Sequence, residues 1–260
     1  MQDTVLRVSL AQYDIVWENK QANLSKIKDI VASLAGQTDI VVLPEMCTTG
    51  FSMRSHELGE TVSEETITYI KQYASQYDIA ICGSFIAKEN GDYFNRAFFI
   101  SASSEYYYDK RHLFRMGQEA DFFSSGEKRL IFEHKGFNIC LLVCYDLRFP
   151  VWARNINNEY DVLIYVANWP ASRIKVWNTL LDARAIENMC YVCGVNRIGT
   201  DGNGLKHDGS SKLINAKGEI LTSIPLNQEQ IETVSISKED IDKFRAKFPV
   251  WKDADKFKIE

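Results

Sequence analysis

The chain has little of what marks several protein classes. No apolar run reaches the roughly 18 residues a membrane-spanning helix needs, so no span is expected. Positive charge is not in excess: the net charge is -5 and the pI is near 5.5. Nucleic acid and anionic membranes both select a basic face, so neither is expected as a partner. Histidine is scarce, with four residues scattered along the chain. Proline is limited to five residues, none clustered, and no low-complexity tract, repeat or linker appears. The sequence runs from its first residues into a strand-like pattern, so no secretory leader is expected. Cytoplasm is the expected location.

What is present is ordinary globular material. Of 260 residues, 45% are hydrophobic and 25% charged, enough for one large α/β domain over residues 1–260. Six cysteines in a chain not marked for export are expected as free thiols. Cys190 and Cys193 have the spacing of a metal or redox pair. They fall in a strand-like segment where residues three apart face opposite sides, so their sulfurs diverge. No second pair stands at zinc-ribbon spacing, and the two are expected as packing residues.

Strand and helix signals alternate along the chain. Val5 to Ala11 alternates apolar and polar residues, as a strand with one buried face does. Leu24, Ile27, Val31 and Leu34 recur at helical spacing before an apolar strand over 39–43. Ile67, Ile70, Ala74 and Tyr77 mark a second helix, followed by strands over 79–86, 94–101 and 106–108. Lys135-Gly136 makes a hairpin-like turn between strands over 129–134 and 137–143. The apolar run over 161–167 is expected to be covered on both faces. A helix over 176–188 leads to a strand at Tyr191. A hairpin around Lys217-Gly218 over 212–224 and a strand over 232–236 complete the pattern. Helices interleaved with strands imply helix layers against sheet. The tail over 248–260 is charged with three aromatics and is expected to dock on a neighbour.

Three strands end in reactive side chains. Ile40 to Leu43 stops at Pro44, which cannot extend a central ladder, and Glu45 follows at the rim. The aromatic stretch Tyr106 to Tyr108 leads to Lys110. Leu141-Leu142-Val143 stops at Cys144, followed by a polar turn read as the start of a helix. A thiol at a strand's carboxyl end lies where open α/β sheets place their ligands. Brought to one sheet edge, the three would combine a nucleophile, a base and a cation. A free cysteine titrates near about 8.5 and is mostly protonated at neutral pH. A nearby ammonium lowers that value, and a glutamate can take the thiol proton and return it to a leaving amine. Taken singly, a strand-end carboxylate or lysine is usually a solvated rim charge, and a lone cysteine is usually packing.

Leu43-Pro44-Glu45, Tyr108-Asp109-Lys110-Arg111-His112-Leu113 and Cys144-Tyr145-Asp146-Leu147-Arg148-Phe149-Pro150 resemble the three signature blocks of the nitrilase superfamily of carbon–nitrogen hydrolases. They stand in that order, and the likeness covers nearly the whole chain. The resemblance implies an αββα sandwich of mixed sheets covered by helices. It further implies a Glu45-Lys110-Cys144 triad, thioester chemistry without a cofactor, and homodimers or larger oligomers packed sheet to sheet. Residues 44–53, 168–173, 181–188, 194–199 and 201–204 are similar to blocks of the bacterial omega-amidase branch, although Cys47 stands where an aromatic is more usual. That branch cleaves the terminal amide of short α-keto acid amides such as α-ketoglutaramate. Another small amide, an N-carbamoyl amine or a nitrile is the alternative substrate, and a binding or scaffold protein the alternative class.

Within that resemblance Glu119 best matches the second glutamate that many members carry, with Glu127 as competitor. The backbone N–H of Tyr145 is the expected oxyanion donor. Arg173 is expected to grip a substrate carboxylate, with Arg115 as another candidate and Arg148 expected to hold the turn after Cys144 by an ion pair. Phe51, Met53 and Trp169 are pocket candidates, though aromatics near strand ends are more often core. Arg184 and Glu187 are expected to pair along a helix, and Gly202-Asn203-Gly204 to form a turn with no phosphate-loop context.

Overall fold

Strand side chains alternate between two hydrophobic cores, and that alternation builds the layers. The structure, a computed structural model, describes residues 3–258. Its elements run β1 (Val5–Gln12), α1 (Lys20–Ser33), β2 (Ile40–Val42), α2 (Ser55–Leu58), α3 (Glu65–Tyr77), β3 (Ala80–Glu89), β4 (Asp92–Ile100) and β5 (Glu105–Asp109). They continue with α4 (Glu119–Phe122), β6 (Ile131–His134), β7 (Phe137–Val143), β8 (Val162–Ala167), α5 (Ile174–Asn188) and β9 (Tyr191–Asn196). The last are β10 (Ile198–Thr200), β11 (Lys206–Asp208), β12 (Lys212–Ile214), β13 (Gln230–Ser237) and α6 (Lys238–Lys247).

Six strands form one sheet in the order β13-β1-β2-β3-β4-β5, and five form a second in the order β12-β9-β8-β7-β6. The pairs β1-β2, β2-β3, β7-β8 and β8-β9 are parallel, and the others within these two sheets are antiparallel. Val8, Leu10, Ile40, Val42, Cys82 and Phe99 point from the larger sheet into a core shared with Ile139, Leu141, Leu163 and Val192 of the smaller one. Their neighbours Val41, Ile81, Phe98 and Ile100 point the other way, against Ile27 and Val31 of α1 and Ile67, Ile70 and Ala74 of α3. Trp177 and Leu181 of α5 press on β9 at Gly194, where a Cβ would meet the Leu181 side chain at 2.5 Å and the Trp177 ring at 2.9 Å. The layers are therefore helix, sheet, sheet, helix, as expected.

Several expectations need amending. The segment after Cys144 is a single 3-10 turn over Cys144–Arg148 rather than the start of a longer helix. The hairpin expected over 212–224 shrinks to β12 and one bridge between Ile214 and Ile220. The β10–β11 hairpin and α6 lie outside the expected pattern. Strands of three residues carry too little pattern, and α6 buries only Ile241 and Arg245. Arg245 substitutes for an apolar stripe: it donates to Met189 O at 2.9 Å and Tyr160 O at 2.7 Å and pairs with Asp161 at 2.7 Å.

The inter-sheet core should show the largest response to truncation. Phe99 is fully buried, with its ring centroid 4.6 Å from that of Phe132. Phe99→Ala is expected to lower the unfolding free energy by about 3–5 kcal/mol. Met116→Ala, at an 87% exposed position, should stay within about 0.5 kcal/mol of the parent. Urea titrations of both variants check this, and equal effects would rule out the assigned core.

Candidate active site

Cys144 follows the last residue of β7 and has φ 42°, in the left-handed region. For a residue other than glycine that backbone is strained, by about 1–3 kcal/mol, and persists only where neighbours enforce it. Asp146 is the enforcer. Fully buried, it accepts from Val143 N at 3.1 Å, His112 N at 3.0 Å and Tyr108 Oη at 2.8 Å, and its Oδ1 lies 2.8 Å from His112 Nδ1. Tyr108 Oη in turn accepts from Trp152 Nε1 at 3.0 Å and Arg111 N at 3.1 Å. From the helix layer Arg184 donates to Leu147 O, while its other arm pairs with Glu187 at 2.8 Å.

Glu45 and Lys110 come from the other sheet, so the expectation of a single sheet edge is corrected. Glu45 follows β2; Lys110 follows β5, and its backbone N–H reaches Asn95 O of β4 at 3.0 Å. Lys110 Nζ lies 2.9 Å from Glu45 Oε1 and 2.9 Å from both carboxylate oxygens of Glu119. All three side chains are shielded from solvent. One amide nitrogen, Asn95 Nδ2, donates to Glu45 Oε1 at 2.7 Å and to Glu119 Oε1 at 2.9 Å. Ser84 Oγ donates to Asn95 Oδ1 at 3.0 Å and accepts from Met46 N at 2.7 Å. The second oxygen of Glu45 accepts from Asn168 N at 2.8 Å, beyond the end of β8 in the smaller sheet. Phe114 N donates to Glu119 at 2.6 Å.

Burial dominates the electrostatics. It works against the Lys110 ammonium, but the Glu119 and Glu45 carboxylates outweigh it and hold the amine protonated. Burial raises Glu119 above the usual carboxylate range, Lys110 pulling it down and Glu45 pushing it up. Burial also pushes the Cys144 thiol well up, and the Glu45 charge adds to this more than Lys110 offsets. The expected lowering of the thiol pKa by the ammonium is therefore overruled, because Lys110 is shared between two carboxylates. The resting sulfur is a thiol beside a carboxylate able to accept its proton.

Glu45, Lys110 and Cys144 line a cavity of about 100 Å³, room for about three waters and hence for a small molecule. None of them lines the larger open groove of about 820 Å³ formed by β13 and α6. Phe51, Met53, Tyr145, Trp169 and Arg173 also face the small cavity. The Phe51 ring centroid lies 5.2 Å from Lys110 Nζ. Tyr145 is half-buried with its ring edge-on to Phe114, and Trp169 Nε1 donates to Arg173 O at 3.0 Å. Arg148 lines the cavity too, 5.6 Å over the Trp169 ring. It forms no ion pair among the described residues, so the expected clamp on the turn is supplied by Asp146 instead. Glu127 and Arg115 are exposed and do not line the cavity. Asp201 and Asn203, beside the glycines of the 202–204 turn, do. Sequence reasoning missed Asn95, Asp146, Asn168 and His207. The available signals were an asparagine in the middle of a strand and another just past a buried strand's end.

A protonated resting thiol has a spectroscopic signature. The absorbance at 240 nm of the protein minus that of Cys144→Ser should show no thiolate step up to pH 9, although an ordinary cysteine titrates near about 8.5. Burial and the Glu45 charge set this direction, since both disfavour the anion. A step at or below pH 8 would sink the assignment.

Comparisons with known proteins agree with this architecture. The model of the carbon–nitrogen hydrolase family matches residues 7–246. The omega-amidase YafV of Escherichia coli is 40% identical over 255 residues, 98% of each chain. That of Yersinia enterocolitica is 42% identical, again over 98% of each chain. A 2-oxoglutaramate amidase of Bacillus subtilis is 30% identical, covering 95% of this chain and 96% of its own. Among solved structures, a CN-hydrolase superfamily protein of Xanthomonas campestris with an arsenic adduct in its active site superposes with a TM-score of 0.96. It is 40% identical and covers 100% of both chains. A family match across most of the chain, full-length relatives and a shared fold lead to one conclusion: the chain belongs to the carbon–nitrogen hydrolase family.

Proposed function

We propose that the chain is an amidase that removes the terminal amide nitrogen of short α-keto acid amides as ammonia, through a thioester on Cys144. The observation that carries this reading is the meeting of Cys144, Glu45 and Lys110 in one small cavity that also exposes Arg173. The names of the relatives, omega-amidase and 2-oxoglutaramate amidase, support the substrate class.

The chemistry follows from the protonation states. Glu45 takes the Cys144 proton as the sulfur attacks the amide carbonyl, so the thiolate exists only as the new C–S bond forms. The oxyanion is met by Lys110 and the backbone N–H of Tyr145. Glu45 then passes its proton to the nitrogen, the C–N bond breaks and ammonia leaves. Water, deprotonated by Glu45, attacks the thioester; the acid departs and the sulfur recovers the proton. The sum is amide plus water to acid plus ammonia. Glu119 positions Lys110 throughout, with both its oxygens on Nζ. Arg173 grips the carboxylate at the substrate's far end bidentately, and Trp169 and Phe51 pack along its short chain.

Ammonia release from 2-oxoglutaramate tests this, with glutamine, a neutral aliphatic amide and a simple nitrile in parallel. The parent is expected to prefer the keto-acid amide. Cys144→Ala should lower turnover by about three orders of magnitude or more. Arg173→Ala should raise KM for the keto-acid amide by about 10–100-fold, the scale of a lost charge-assisted hydrogen bond, and leave the neutral amide nearly unchanged. Cys144-dependent hydrolysis of a neutral amide or nitrile, without action on 2-oxoglutaramate, would keep the nucleophile and discard the substrate class.

A further inference from the structure

His207 stands on β11 and lines the same cavity as Cys144 and Arg173. Only 3% of it is exposed, and its Nδ1 has no hydrogen-bond partner among the described residues. A buried polar atom without a partner is unfavourable, and at a binding site the ligand commonly supplies the missing bond. Burial pushes the imidazole down to about 4 and the Arg197 cation adds to this, while Asp201, the Leu205 backbone and Glu45 pull the other way. At neutral pH the ring is thus uncharged and carries one N–H and one lone pair. Which nitrogen bears the proton follows from the bond that the other one makes.

Its placement gives that N–H a purpose. β11 packs against the 3-10 turn Ala171–Arg173, so imidazole and guanidinium belong to one wall of the cavity. An α-keto acid presents only acceptors at its far end: two carboxylate oxygens and, on the next carbon, a ketone oxygen. Arg173 can satisfy the carboxylate, which leaves the ketone oxygen as the one group in need of a donor. A cation there would add nothing that Arg173 does not supply, whereas a neutral N–H meets an uncharged carbonyl without importing charge.

We infer that His207 is the residue that recognises the 2-oxo group, donating an imidazole N–H to the ketone oxygen beside the carboxylate held by Arg173. This rests on the reading of the site as one for α-keto acid amides. His207 then sets specificity rather than chemistry: it touches the end of the substrate remote from the bond being broken. A substrate with a methylene in place of the ketone leaves the N–H unpaired, and such sites discriminate strongly against analogues lacking the group they bond.

The test compares kcat/KM for 2-oxoglutaramate with that for 4-carbamoylbutanoate, the same chain with CH2 in place of the ketone. The parent protein, His207→Phe and His207→Gln are measured on both. The parent should favour the keto substrate, and His207→Phe should shrink that ratio by about tenfold or more, whatever happens to absolute rates. His207→Gln keeps an N–H donor and should retain most of the ratio. An unchanged ratio in His207→Phe, or an equal loss on both substrates in both variants, overturns the inference and marks His207 as packing. A parent that treats the two amides alike overturns it without any variant, which covers the case in which His207→Phe does not fold. Failure of the parent to hydrolyse either amide, with Cys144-dependent action on some other amide, removes the underlying reading and this inference with it. Hydrolysis of 2-oxoglutaramate with an insensitive ratio removes the inference alone.

Discussion

An ammonium enclosed by two carboxylates is the constraint on which the rest of the structure depends. Each buried ion loses several kcal/mol of hydration, and only close, well-aligned partners offset that. Here the partners come from β2, β4, β5, α4 and the end of β8, through Glu45, Asn95, Lys110, Glu119 and Asn168. Three of those elements are strands of the larger sheet and β8 belongs to the smaller, so the sheets must meet in one register for the cluster to be satisfied. Removing Lys110 would leave two buried carboxylates without their cation. A core of aliphatic side chains alone would tolerate sliding; this polar centre does not.

A second device on the other sheet complements it. The left-handed Cys144 is held by a carboxylate, Asp146, that makes no direct use of its charge in the cavity and instead collects donors from β7, the Tyr108–His112 segment and, through Tyr108, Trp152. One cluster fixes Glu45 and Lys110, Asp146 fixes the sulfur, and the two meet across the inter-sheet core. Strain at the nucleophile is tolerable because it is over-determined from both flanks.

Much of this was legible in the sequence because period-two alternation and abrupt strand ends are strong signals. The reactive residues Glu45, Lys110 and Cys144 each mark the point where an apolar run stops, and the layers follow from the helical and strand periods. Polar networks are another matter. Asn95 sits inside β4 beside Arg96, where it reads as one more polar strand residue, and only the fold shows that its amide spans two carboxylates. The pairing of sheets is equally invisible, which is why the reactive groups were expected on one edge. Arg148 was misjudged because charge near a turn suggests an ion pair, while Asp146 had already taken that position through backbone donors. The β10–β11 hairpin, which brings His207 to the cavity, has strands too short to announce themselves.

The resting protonation of Cys144 has a consequence for survival in an oxidising cell. Peroxides and disulfides react with thiolates far faster than with thiols. A sulfur that loses its proton only while a carbonyl carbon is in front of it offers those reagents almost no anion to attack. Burial likewise pushes up Cys47, Cys82, Cys140, Cys190 and Cys193. All six sulfurs are thus held in the protonated form that such reagents attack slowly, Cys144 among them. In the proposed reaction that protection is lifted by the substrate itself, one turnover at a time.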